Sequence, residues 1–268
     1  MILNKTYDLL KTRYYDLIRD LTIADARIGV FLTAVILSDG SCGTASTVTD
    51  PNSNCARADR DFGVFTPGKI KNRKVIELLE TVKNLNLIDS LKLAVINAVS
   101  SKIVSSLDYK IIENADPIEL VNLKPPKTIT IVGAFQSYIR KISESGNKLY
   151  VLEMDKNTLT GDQKQFYVPA KEYSKVLPKS DVVIITGLTL VNNTIDELLA
   201  AIPPHARVIV TGPSSNLIPD VLFENNVNII GATRITNPGL LMDVVSEAGA
   251  GYHLFQYCAQ KICIVNEK

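Results

Sequence analysis

From residue 128 onward, short apolar runs alternate with amphipathic stretches, and this alternation leaves the chain few folds to choose from. Residues 128–132, 148–153, 181–186, 208–210 and 227–230 are mostly rich in Val and Ile, which suits strands covered on both faces. Helical patterns fall between and after them, over 138–145, 169–176, 194–202 and 238–248. Repeated strand-then-helix units call for a parallel sheet with right-handed crossovers, a Rossmann-like α/β layout. The clearest unit is 207–234, RVIVTGPSSNLIPDVLFENNVNIIGATR. It reads as strand, glycine turn, a helix starting near Ser215 or Asn216, and a strand ending in Gly231-Ala232-Thr233-Arg234. Residues 253–265 supply terminal strand.

The first half follows another rhythm. Leu3, Tyr7, Leu10, Tyr14, Leu17 and Leu21 make one apolar stripe, predicting a helix over 3–21, and that stripe could pair two copies as a homodimer. Residues 25–37 read as one strand, 38–41 as a turn or hairpin tip, and 42–47 as a returning strand or glycine-rich bend. An irregular loop spans 49–74, and helices are expected over 74–83 and 89–105. Helices after an antiparallel strand pair indicate a smaller α+β domain. Prolines at 117, 125 and 126 favour an extended linker, dividing the chain into residues 1–123 and 124–268.

Composition removes several function classes. A net charge of +1 over 268 residues lacks the basic footprint of a nucleic-acid binder. No apolar run reaches the roughly 18 residues of a membrane span. The first twenty residues carry charges throughout, unlike a signal peptide, so a cytoplasmic protein is expected. Cys42, Cys55, Cys258 and Cys263 form no C-x-x-C pair, and His205 and His253 belong to no zinc signature.

Three polar turns close predicted strands, and in open α/β sheets that edge is where ligands bind. They begin at Gly133 (with Phe135), at Gly187 (with Thr189 and Asn192) and at Gly212-Pro213-Ser214-Ser215. Helix N-termini beside such turns attract anions. For any one of these residues, helix capping is the commoner role; their convergence on one rim carries the functional reading. Thr233 and Arg234 would bring a cation to the same edge, either as a bidentate clamp on a carboxylate or phosphate or as an ordinary salt bridge. Gly133 stands without the companions of G-x-G-x-x-G, which argues against a nicotinamide dinucleotide. An acid after the second strand, Glu153 or Asp155, still allows an adenosyl-type ligand, with Asp155 the chosen ribose contact. Cys42, followed by Gly43 and the Thr44 and Ser46 hydroxyls, is the one candidate soft metal ligand, although a packed thiol is the commoner role.

GPSSNLIPDVLFENNVNIIGATRITNP and SDVVIITGLTLVNNTIDELL resemble a family of domains of unknown function described as heavy-metal chelation proteins. Residues 28–34 and 42–47 resemble that family's strand pair, and 93–98 its helix motif. The resemblance implies a Rossmann-like C-terminal domain preceded by a domain with the enolase N-terminal fold. It also implies a ligand cleft between the two, where Thr44, Ser46 and Asn97 would face the turns of the second domain. The leading expectation is therefore metal chelation, through a transition-metal ion, or binding of a small anionic molecule or metal complex in that cleft. The alternative is a transferase-type enzyme using an adenosyl cofactor.

Overall fold

The computed structural model describes residues 1–49, 61–83 and 85–267. Cys55 and much of the irregular loop lie outside the described residues. The first lobe opens with α1 (Ile2–Arg13) and the single turn α2 (Tyr15–Ile18). The continuous helix expected over 3–21 breaks at Tyr14, where φ is −127°. Three antiparallel strands follow in the order β1 (Ile23–Ile28), β2 (Leu32–Leu37), β3 (Cys42–Ser46). The single strand expected over 25–37 is thus a hairpin. Its bend is at Gly29, where a Cβ would lie 2.2 Å from the Val245 carbonyl oxygen. Gly40, at φ +83°, makes the second bend, a conformation that favours glycine.

Two helices complete this lobe, α3 (Val75–Glu80) and α4 (Asn86–Ser106). Along α4, Ile88, Leu91, Leu93, Ala94, Val95, Ile96, Ala98, Val99 and Ile103 are all buried, on every side of the helix. A helix apolar all round belongs in the middle of a structure. Here it lies against β2 and β3, and one apolar core runs from it to the second lobe's sheet through Val132, Val183, Val210 and Ile230.

The larger sheet has eight strands, ordered β4-β11-β10-β9-β8-β5-β6-β7. They are β4 (Ile111–Glu113), β5 (Thr128–Val132), β6 (Lys148–Glu153), β7 (Tyr167–Pro169), β8 (Val182–Thr186), β9 (Arg207–Thr211), β10 (Ile229–Ile235) and β11 (Ala259–Val265). From β7 through β10 neighbours are parallel; β11 runs antiparallel to both β10 and β4. The sheet thus takes in residues 111–113, ahead of the boundary expected near residue 124. The connecting helices are α5 (Gln136–Ser143), α6 (Tyr173–Val176), α7 (Leu188–Val191), α8 (Ile195–Ala200) and α9 (Pro219–Glu224). Last come α10 (Pro238–Ser246) and α11 (Gly251–Tyr257), the second occupying sequence expected to be strand. Asn237 caps α10 by accepting from the Leu240 N–H, with Pro238 fixing its first turn. β5 leads to β6 on one side and neighbours β8 on the other, so the strand order reverses there. Ligand crevices open at such a reversal, outside the carboxyl ends of the strands.

Candidate functional site

A cavity of about 720 Å³ lies at that reversal, within the range of roughly 300–1,000 Å³ usual for small-molecule sites. Its walls come from the carboxyl ends of three parallel strands: Val132, Gly133 and Ala134 after β5, Glu153 and Met154 after β6, and Thr186, Leu188 and Thr189 after β8. Tyr167, Lys171 and Tyr173 close the β7 side, while Asn192, Thr194 and Glu197 close the far side. Gly133 is at φ +104°, and a Cβ there would meet the Thr186 side chain at 3.1 Å, so the turn can lie this close to β8 only with glycine.

Of the residues singled out from sequence, Gly133, Thr189 and Asn192 line this cavity. Phe135 does not: its ring stacks on Tyr138, with centroids 5.3 Å apart. Asp155 does not line the cavity, whereas Glu153 does. The Asp155 carboxylate accepts from the Asn157 N–H at 2.8 Å and caps the turn at Lys156–Thr158. Glu153 ends β6 and lines the cavity; one of its oxygens accepts from the Met154 N–H at 2.7 Å, leaving the other for a ligand. The end of the strand separates these two acids: β6 stops at Glu153, and Asp155 already belongs to the turn that follows.

The expected interlobe cleft is filled by its own lining. Thr44 Oγ1 donates to the Pro213 carbonyl at 2.9 Å, and the Ser46 N–H to Ser214 Oγ at 2.7 Å. Asn97 Nδ2 donates to the Thr44 and Ser214 carbonyls at 2.7 and 3.0 Å. Ser215 Oγ donates to the Gly212 and Gly231 carbonyls, both at 2.7 Å. Gly187 packs on the same turn, since a Cβ there would lie 2.9 Å from the Ser215 nitrogen, and Gly212 sits beside it. Thr44, Asn97, Ser214 and Ser215 are buried. These polar groups converge as expected, but on one another, as a hydrogen-bonded seam between lobes.

Arg234 is not delivered to this rim. Antiparallel pairing with β11, Arg234 opposite Gln260, carries β10 on through Ile235, past the expected strand end. The guanidinium reaches Glu113 Oε1 at 2.7 Å and holds that carboxyl below its ordinary range. Thr233 is buried, its N–H bonded to Asn216 Oδ1 at 2.8 Å.

Residues 116–264 and 11–100 each match a family described as "Putative heavy-metal chelation". The chain belongs to this family. A crystal structure of a DUF364-family protein of unknown function from Pyrococcus horikoshii has a TM-score of 0.78 at 21% identity, covering 99% of this chain and 100% of that one. Another member of unknown function, from Desulfitobacterium hafniense, has a TM-score of 0.70 at 19% identity, covering 97% and 99%. An uncharacterised protein of Methanocaldococcus jannaschii is 27% identical over 167 residues, a match that spans 61% of each chain. The two solved structures agree with the fold described above. No helix among the described residues is long and apolar enough to cross a membrane.

Among the described residues the donor set does not fit a protein-held heavy metal. Among the described residues no three His, Cys, Asp or Glu side chains gather to hold an ion. Cys42 donates to the Gly40 carbonyl at 3.3 Å, and burial, then the Asp39 charge, pushes its thiol up to about 11. Burial, then the charges of Asp116 and Glu119, pushes the Cys263 thiol up to about 12. Metals bind thiolate, and these thiols resist forming it. Tyr109 and Tyr138 also hold their protons, through burial first and then hydrogen bonds to Asp220 and Asp116.

These groups predict a loss of stability in alkali. Below a thiol's ordinary value of 9.0 both folded and unfolded chains keep these protons, and the contribution to stability is complete. Above it the unfolded chain releases them first, so stability falls until the folded thiols ionise near 11 and 12. The urea midpoint should therefore decline between about pH 9 and 12. A midpoint constant across that window would contradict the buried thiols.

Proposed function

We propose that this protein binds a nucleoside-type small molecule, of the adenosyl class, in the cavity at the strand-order reversal. The observation that carries the reading is the placement of Glu153. It ends the second strand of a parallel sheet, beside the turn after the first, where folds of this layout hold a ribose hydroxyl. Around it, Tyr167 and Tyr173 offer aromatic faces for a planar base, and Thr186, Thr189 and Asn192 offer short polar groups. Most polar groups of the interlobe seam bond one another, although Asn97 Oδ1 is buried there with no partner among the described residues, whereas the lining of this cavity offers a ligand several polar groups together with open space.

Isothermal titration with adenosine and S-adenosylhomocysteine tests the reading. Glu153→Gln should weaken binding about ten- to a hundredfold, the worth of a charge-assisted hydrogen bond of roughly 1.5–3 kcal/mol. Asp155→Asn, two residues on, should leave binding unchanged. Absence of heat with every adenosine compound, or equal losses in both variants, would reject the assignment.

A further inference from the structure

Within the proposed nucleoside site, the charges and the cover over α5 narrow the ligand further. We propose that the ligand carries a positive charge and no phosphate. The inference rests on the nucleoside reading and adds to it the ligand's charge class.

Three charged side chains line the cavity, the carboxylates of Glu153 and Glu197 and the ammonium of Lys171, so the formal balance of the walls is one negative charge. Glu197 is held at the site by Tyr173, whose hydroxyl donates to its Oε2 at 3.3 Å. Lys156 is nearby, but its ammonium sits 5.8 Å from the centroid of the Tyr167 ring and does not line the cavity. A pyrophosphate would meet two carboxylates across the cavity and find one lysine to balance them. A cation would instead find an unpaired negative charge.

The second observation is steric and independent of charge. Dinucleotides and nucleotides lay their phosphates on the N-terminus of the helix after the first strand, and glycines there let the backbone approach. In this chain the first residue of α5, Gln136, is tied down across that position. Its Nε2 donates to the Thr158 carbonyl at 2.9 Å, and its Oε1 accepts from Thr160 Oγ1 at 3.4 Å. The segment between β6 and β7 is thereby fastened to the helix start. Ala134 and Phe135 stand where a phosphate site would have glycine. The ribose end of the cavity is equipped, and the phosphate end is occupied by protein.

The test compares S-adenosylmethionine (a sulfonium cation), S-adenosylhomocysteine (its neutral-sulfur counterpart), ATP and NAD by titration at low ionic strength. S-Adenosylmethionine should bind at least about tenfold more tightly than ATP or NAD, and more tightly than S-adenosylhomocysteine. Glu197→Gln should remove most of the preference for the sulfonium over its neutral counterpart while leaving S-adenosylhomocysteine binding within about twofold. Arg234→Ala, outside the cavity, serves as the control and should alter neither. If ATP or NAD binds as well as S-adenosylmethionine, the charge class is wrong while the nucleoside site stands. If Glu197→Gln keeps the sulfonium preference, the electrostatic argument fails. If no adenosine compound binds, the nucleoside reading fails and takes this inference with it.

Discussion

Asn97→Ala should cost about 2–6 kcal/mol of stability, the worth of leaving two buried carbonyls without donors at roughly 1–3 kcal/mol each. Asn97 is fully buried on α4, and its one amide nitrogen reaches both the Thr44 carbonyl on β3 and the Ser214 carbonyl in the turn after β9. Water has no access to replace it. Total stabilities of 5–15 kcal/mol make such a loss a large fraction of the whole. Because the amide bonds one group from each lobe, the variant should also show the two lobes separating in their unfolding transitions. Asn97→Asp is the sharper comparison. It keeps the shape, but near neutral pH it presents carboxylate oxygens to two carbonyl oxygens. It should be at least as destabilised as the alanine variant there and should recover partly in mild acid, where the carboxyl gains a donor proton. Urea unfolding followed by circular dichroism measures all three proteins; an aspartate variant as stable as the native chain would show that the amide donates nothing essential.

The same residue shows how far the sequence could be read. Asn97, Thr44, Ser46 and Ser214 stand out as polar residues among apolar or small neighbours, and they do converge in space. What one-dimensional pattern cannot say is whether converging donors and acceptors face a ligand or each other, because that depends on the distance between two lobes. The strands were more legible. Residues 128–132 and 148–153 are strands at the positions read from their short, mainly apolar runs, since a strand covered on both faces needs such a run. Gly133, Thr189 and Asn192 stand out in the sequence because turns after strands need glycine, hydroxyl and amide residues, and all three line the cavity. Arg234 was expected at a strand end facing the rim; a long-range partner, β11, which local pattern does not show, extends the strand through it. Tyr167 and Tyr173 gave no signal, since β7 has three residues and is flanked by short helical turns with no period to detect. Glu197 was hidden for a different reason. An acid in the first turn of a helix is common for dipole reasons alone, and only the fold shows it on the wall of a cavity.

Gly43→Ala should be nearly as damaging as Asn97→Ala, although it adds a single methyl group. A Cβ at Gly43 would lie 2.2 Å from the Ala94 carbonyl oxygen and 2.3 Å from the Ala98 nitrogen. Both are backbone atoms of α4, so no rotamer change relieves the overlap. Conformational freedom is not the issue, because Gly43 is ordinary strand; the missing side chain is what lets β3 lie directly on the helix. The strand must therefore move outward, at a cost toward the upper end of the roughly 1–3 kcal/mol usual for overpacked cores, or beyond it. That movement would draw Thr44 away from Asn97, one residue along, so the two effects should be coupled. In the double variant Gly43→Ala with Asn97→Ala, the summed losses should exceed the measured loss by about 0.5 kcal/mol or more, as expected of contacting positions. Simple additivity would mean that the methyl is absorbed without disturbing the seam. By contrast, Gly40→Ala, at a bend where a Cβ meets nothing within 4 Å, would pay only for its φ of +83°. Its loss should stay near 1–2 kcal/mol, about the cost of one non-glycine residue held in the left-handed region. The difference between these two glycine variants separates steric exclusion at the α4 contact from backbone strain in a turn.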